Sequence, residues 1–146
     1  MADDRGETLI EIIAAVSILG IAAVAIAGTM TISVKVSDYH RKESDAGAAA
    51  RNYAEAIERY VAAAAPNYMN CAAANAYSPS AVGFTVAGGY SASQSAAQTW
   101  NGSSWVACTT DPGVQQVTVT VASADGRATE NLTVILRRPC TAAAPC

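Results

Sequence analysis

The stretch Gly6-Glu7-Thr8-Leu9-Ile10-Glu11 leads into IIAAVSILGIAAVAIAGTMTISV, Ile12 to Val34, a run of 23 residues without a charge. As an α-helix this run is about 35 Å long, against a bilayer hydrocarbon core of about 30 Å. It therefore spans a membrane with some tilt. A removed secretory signal would have a shorter apolar core, a basic start and a small-residue cleavage site after it. The start here, Met1-Ala2-Asp3-Asp4-Arg5, is not basic. A buried core helix of a soluble protein fits poorly in a chain of 146 residues. The reading is a retained membrane helix. One ionisable residue interrupts the apolar region: Glu11, between Leu9-Ile10 and Ile12-Ile13. A charge at the centre of a membrane helix costs roughly 2.5–3.5 kcal/mol on insertion scales, and less near its end. Taken alone, Glu11 marks the membrane edge. The alternative is a carboxylate awaiting a positive partner on another subunit.

Past Val34 the helix is expected to continue. From Ser37 to Ala65 there is no proline, and Ala46, Ala49, Tyr53, Ile57, Tyr60 and Ala64 recur at helical spacing, as a stripe facing a sheet would. Glu43, Arg51, Glu55, Glu58 and Arg59 supply the polar side. Gly47 weakens this helix by about 1 kcal/mol relative to alanine, and Pro66 ends it. Two strands are expected late in the chain. Gln115–Ala122 alternates with Val117, Val119 and Val121 on one face, and Ala128–Arg137 with Leu132, Val134 and Leu136. Asp125-Gly126 between them is a two-residue hairpin signal. With Ala124 opposite Arg127, Val119 faces Leu132 and Val117 faces Val134, while Thr118 meets Thr133 and Thr120 meets Asn131. One face is apolar and the other polar, as a sheet covering a helix requires. A further strand is expected over Gly83–Ala87, and a tight turn with aromatic flanks at Trp100–Trp105. Residues 66–114 otherwise read as a surface-exposed loop region rich in Ala, Ser, Asn and Gly, of the kind that often carries function.

The four cysteines, Cys71, Cys108, Cys140 and Cys146, all follow the apolar run. In a small chain they read as two disulfides in an oxidising compartment. Three pairings are possible; Cys71–Cys108 with Cys140–Cys146 is favoured. No Cys-x-x-Cys spacing points to zinc, and His40, the one histidine, stands beside Arg41 and Lys42 as a solvated residue. The net charge of −3 and the lack of a basic patch argue against nucleic acid as a partner. Arg137-Arg138 is an isolated pair at a strand end. There is no nucleophile elbow, P-loop, dinucleotide fingerprint or metal triad, so no enzyme activity and no cofactor is expected. Asn101-Gly102-Ser103 and Asn131-Leu132-Thr133 match the glycosylation sequon, which is common by chance.

The run Gly6-Glu7-Thr8-Leu9-Ile10-Glu11, directly before a long apolar helix, resembles the prepilin cleavage motif of the type IV pilins and the pseudopilins of type II secretion. The resemblance covers roughly residues 5–36. Those families carry Gly, Phe, then Thr-Leu-Ile-Glu; here Glu7 stands in the Phe position, a variant familiar from pilin-like proteins of high-GC Gram-positive bacteria. The resemblance implies cleavage between Gly6 and Glu7 by a membrane-embedded prepilin peptidase, with N-methylation of the new terminus usual in the family. It implies assembly through Glu11, with other pilin subunits and an inner-membrane assembly platform as partners. The glycine suits such a cut, because without a side chain it lies extended in a tight cleft. Glu7 places a second carboxylate beside the new amino group, where it competes with Glu11.

The fold expected is α+β and pilin-like: a long N-terminal helix, membrane half plus amphipathic half, packed on a small antiparallel β-sheet. The expected organisation is a leader at 1–6, a membrane and assembly helix at 7–36, an extracellular helix half at 37–65 and a disulfide-braced, β-rich head at 66–146. The count of basic residues, Arg5 before the membrane run against Lys35, Arg41 and Lys42 after it, would by itself put the head in the cytoplasm. The cleavage motif, whose peptidase acts at the cytoplasmic face, and the cysteines place it outside. The expected function is a structural subunit of a type IV pilus or a secretion pseudopilus. The alternative is a membrane-anchored extracellular binding module that never polymerises and binds a surface polymer or DNA through the Trp100/Trp105 region; an anchored hydrolase lacks a catalytic set.

Overall fold

A single helix, α1 (Thr8–Ala63), begins the computed structural model, which describes residues 8–140. Five strands follow: β1 (Tyr90–Gln94), β2 (Gln98–Trp100), β3 (Trp105–Ala107), β4 (Val114–Ser123) and β5 (Thr129–Arg137). The architecture is α+β and pilin-like, a long N-terminal helix with a small antiparallel sheet. By contacts the chain divides into two units, residues 1–40 and 41–146.

In the first unit every side chain from Leu9 to His40 is exposed. The helix forms because its residues are mostly Ala, Ile, Leu and Val with no proline. Its hydroxyls turn back onto the helix: Ser17 donates to the Ile13 carbonyl at 2.7 Å, Thr29 to Ile26 at 2.8 Å and Thr31 to Ala27 at 3.1 Å. Satisfied in this way, they can sit in hydrocarbon without an unmade hydrogen bond.

In the second unit α1 becomes amphipathic. Ala46, Ala50, Tyr53, Ala54, Ile57 and Val61 are buried in one core with Val117, Val119, Val121, Val134 and Leu136 of the sheet. The expected stripe is right in direction but shifted: Ala50, Ala54 and Val61 lie inside, whereas Ala64 is exposed. The helix ends at Ala63, before a 3₁₀ turn over Ala65–Asn67 that contains Pro66. Proline disfavours helical geometry at the residue before it, and the Asn67 side chain donates to the Tyr60 carbonyl at 2.7 Å, one of the acceptors left over at the helix end.

Strand β4 is the centre of the sheet. It pairs along its whole length with β5 on one side, and on the other with β1 and, at Gln98↔Gln116, with β2; β2 and β3 form a hairpin. The β4–β5 register pairs Val117 with Val134, Thr118 with Thr133, Val119 with Leu132 and Thr120 with Asn131, the register derived from the alternation. The turn differs. The strands end at Ser123 and Thr129, and four residues, Ala124–Arg127, cross over beyond the Ser123–Ala128 hydrogen bond. Asp125 closes this wider turn by accepting from the Ser123 hydroxyl at 2.7 Å and the Arg127 amide at 3.2 Å, with Gly126 at φ +69°. Ala124 is drawn aside by a hydrogen bond from its amide to the Gly89 carbonyl.

Residues 66–89 are not a loose surface loop. Tyr68, Ala72 and Tyr77 are part of the core. No strand forms over Gly83–Ala87; Gly83 lies in a turn and the first strand starts at Tyr90. Two buried glutamines of the sheet replace strand pairing here. Gln115 accepts from the Ala72 amide at 3.1 Å and donates to the Met69 carbonyl at 2.9 Å, and Gln94 accepts from the Tyr77 amide at 3.1 Å. Buried amides left without partners would cost about 1–3 kcal/mol each, so these two side chains decide where the segment lies.

Candidate assembly helix and head surface

Glu11 lies in the first turn of α1 and is exposed. A carboxylate in the first turn is favoured by the unpaired amides of the helix start, so its position is stable within one chain whatever it later meets. Gly6 and Glu7 lie outside the described residues. Downstream of Glu11 the side chains Ile12, Ile13, Val16, Leu19, Ile21 and Val24 are all exposed apolar groups. The helix is long and apolar enough to cross a membrane, and its apolar stretch is unburied within the chain. In water such a surface would aggregate; it requires lipid or other helices around it.

In the head, Cys71 and Cys108 are joined, their Cα atoms 5.2 Å apart. Cys140 is disulfide-bonded as well, and Cys146 lies outside the described residues. The first bridge adjoins a polar hub on Asp111. Its carboxylate accepts from the Tyr68 hydroxyl at 2.9 and 3.0 Å, the Cys71 amide at 3.3 Å and the Gly113 amide at 2.7 Å. Burial, and then this carboxylate, push the Tyr68 hydroxyl well above the usual tyrosine range. Arg138 lies over the Tyr68 ring, 5.4 Å from its centroid, and donates to the Asn70 side chain at 2.8 Å. It is thus part of the same tie between the chain end and the 66–72 segment. Burial also lifts Tyr53 to about 12, its hydroxyl donating to the Tyr77 carbonyl at 2.6 Å. These groups hold the loops in place.

Sequence reasoning missed Asp111, Gln94 and Gln115. For Gln115 a signal existed: the period-two register that turns Val117, Val119 and Val121 inward turns Gln115 inward too. Asp111 and Gln94 sit where no periodicity marks them. His40 is exposed. Among the described residues no group of three or more His, Cys, Asp or Glu is placed to hold a metal ion. Trp100 and Trp105 face each other across the β2–β3 hairpin, ring centroids 5.6 Å apart at 60°.

Residues 1–27 match the family model described as the prokaryotic N-terminal methylation motif. The N-terminal segment thus carries a prepilin-type methylation motif, consistent with the type IV pilin and pseudopilin superfamily. No curated protein and no solved structure matches the chain. An apolar N-terminal helix carrying this motif, with a small disulfide-bonded head, is consistent with a non-enzymatic subunit.

Proposed function

We propose that this chain is a structural subunit of a type IV pilus or a type II secretion-like pseudopilus, of the variant with Glu after the cleavage glycine. A prepilin peptidase cuts between Gly6 and Glu7, and the mature chain assembles through α1 on an inner-membrane platform, with other pilin subunits as neighbours. Before assembly it is a single-pass membrane protein with its N-terminus inside and its head outside. The observation that carries the reading is the methylation-motif match over residues 1–27 joined to an apolar helical stretch that is exposed from Leu9 to Val34, with Glu11 near its start. In a filament of packed helices an unpaired Glu11 would be costly; the free amino group at Glu7 of a neighbouring subunit offsets that cost and fixes axial register.

The experiment is intact-mass measurement of chain extracted from cells that make the peptidase, together with its recovery in sheared filaments. A new terminus at Glu7 and presence in the sheared fraction are expected, and Gly6→Leu leaves the full-length precursor in the membrane. A chain still starting at Met1 or Ala2 overturns the processing step. A processed chain never found outside the cell makes it an anchored module instead.

A further inference from the structure

The sheet face turned away from the core has its own chemistry. Alternation along β4 and β5 sends Val117, Val119, Val134 and Leu136 inward, and the residues between them outward. The outward set is largely hydroxyls and carboxamides: Gln116, Thr118 and Thr120 on β4, Asn131 and Thr133 on β5, Ser93 on β1, with Val114 and Ala122 half-buried toward the two ends of β4. The strands place no carboxylate on this face, and their one charge there is Arg137 at the end of β5. The groups are organised across the strands. Thr120 donates to Asn131 at 2.7 Å, and Gln116 donates to Gln98 of β2 at 3.3 Å.

Two residues beyond Gln98, on the same side of its strand, stands Trp100, which is 48% exposed. Trp105 meets it edge-on and braces it, leaving part of the Trp100 ring uncovered. The turn beneath is rigid: the Asn101 side chain accepts from the amides of Ser103 at 3.0 Å and Ser104 at 2.9 Å. Ile135, opposite Gln116, is a second exposed apolar residue on this face, at 42%.

A sugar ring presents an apolar C–H face and a rim of hydroxyls. The complement is an aromatic plane beside neutral donors and acceptors, which this face supplies. A polyphosphate such as DNA needs lysines and arginines at its charges, and a protein partner needs a continuous apolar centre; here amides separate Trp100 from Ile135. We infer that this face binds a neutral polysaccharide chain, with a sugar ring stacked on Trp100 and its hydroxyls bonded by the Gln98–Gln116 pair and the threonines beyond.

The inference does not depend on polymerisation, so the two readings fail separately. The full chain in lipid nanodiscs, free of glycoside detergents, is screened on an array of neutral and anionic glycans. The best neutral oligosaccharide is then titrated. Trp100 and Trp105 are the chain's only tryptophans, so tryptophan fluorescence, excited to the red of tyrosine absorption, reports on this hairpin alone. Retention confined to neutral glycans and a saturable tryptophan shift are expected. By calorimetry Trp100→Ala lowers affinity about tenfold or more, Trp100→Phe restores most of it, and Gln98→Ala weakens it several-fold with circular dichroism unchanged. The inference is overturned by no retention of any neutral glycan, by tighter binding of duplex DNA or anionic glycans, or by unchanged affinity in folded Trp100→Ala. If that variant misfolds, unchanged affinity in Gln98→Ala overturns it equally.

Discussion

Between Leu9 and Val34, α1 is exposed on every side and mostly apolar, with Glu11 its one charge; between residues 41 and 63 the same helix has one buried stripe and one charged face. The contrast shows two ways of stabilising a helix. In the first stretch the hydroxyls of Ser17, Thr29 and Thr31 bond back to the helix's own carbonyls, and no side chain needs a particular neighbour elsewhere in the chain. In the second, stability comes from a few side chains that must land on the sheet. A substitution in the first stretch should therefore change what the protein assembles with and leave the head intact. A substitution in the second unit should change folding stability.

The largest effect tests the first half of that comparison. Glu11→Gln keeps shape and removes the charge. Insertion and cleavage should persist, while recovery in sheared filaments, with the wild-type assembly machinery present, falls more than about tenfold, since breaking a buried charge pair costs about 3–5 kcal/mol. Glu7→Gln should do less, its carboxylate being a competitor for the amine. Thermal unfolding of the head should be unchanged in both. If Glu11→Gln chains enter filaments as wild type does, Glu11 is a boundary residue and the anchored binding module becomes the better reading.

In the head the disulfide comes next. Closing the 37-residue separation between Cys71 and Cys108 is worth roughly 3–4 kcal/mol in the chain-entropy model. Cys71→Ala should lower the urea midpoint of the head accordingly, and Cys146→Ala by less, since the Cys140–Cys146 bridge expected from the sequence would close only a short loop. Equal effects would mean that the Gln94, Gln115 and Asp111 contacts hold residues 66–89 without the bridge.

What could be read in advance follows the same division. The apolar stretch is a matter of composition. The β4–β5 register follows from alternating valines that leave one way to bury them. The 66–114 region was illegible because its order is set by single polar side chains. Strand β1, Tyr-Ser-Ala-Ser-Gln, alternates only weakly, with Tyr90 and Ala92 half-buried against the core and Gln94 buried, and it pairs with β4; a strand was expected over Gly83–Ala87 instead. At the candidate site, the motif match covers Gly6, Glu7 and Glu11, and their roles belong to the proposal. The neutral outward face was not legible, because its residues come from β1, β2, β4 and β5 and meet only in the sheet.

A smaller and opposite effect is expected in the amphipathic half of α1. Gly47 is helical, and a Cβ added there would come no closer than 3.9 Å, to Glu130 Cγ, an ordinary contact. Gly47→Ala should therefore stabilise the head by about 0.5–1 kcal/mol through helix propensity alone, read as a raised unfolding midpoint. A glycine kept for close packing would give the reverse sign.

The smallest effect concerns the tie between α1 and the β4–β5 turn. Lys42 donates to Asp125 at 2.6 Å, and the same carboxylate accepts from Ser123 and Arg127. The Lys42 hydrogen bond, then those of Ser123 and Arg127, hold the Asp125 carboxyl well below its ordinary value of 3.8. A carboxyl depressed by folding contributes stability that is complete above its unfolded pKa and is lost as pH falls toward the folded one. The window therefore opens below about pH 4, and nothing from this group changes between about pH 6 and 8. The side chains are partly open to solvent, so the contribution is small and screened by salt. Asp125→Asn keeps an acceptor for the turn and removes the charge. Melting wild type and Asp125→Asn from about pH 6 to about pH 2.5 should show wild type slightly more stable at the upper end and the two curves converging below about pH 4. The gap at the upper end should shrink in about 1 M salt. Parallel curves throughout would mean that Asp125 acts as a turn acceptor alone, and that α1 is held to the sheet entirely by its apolar stripe.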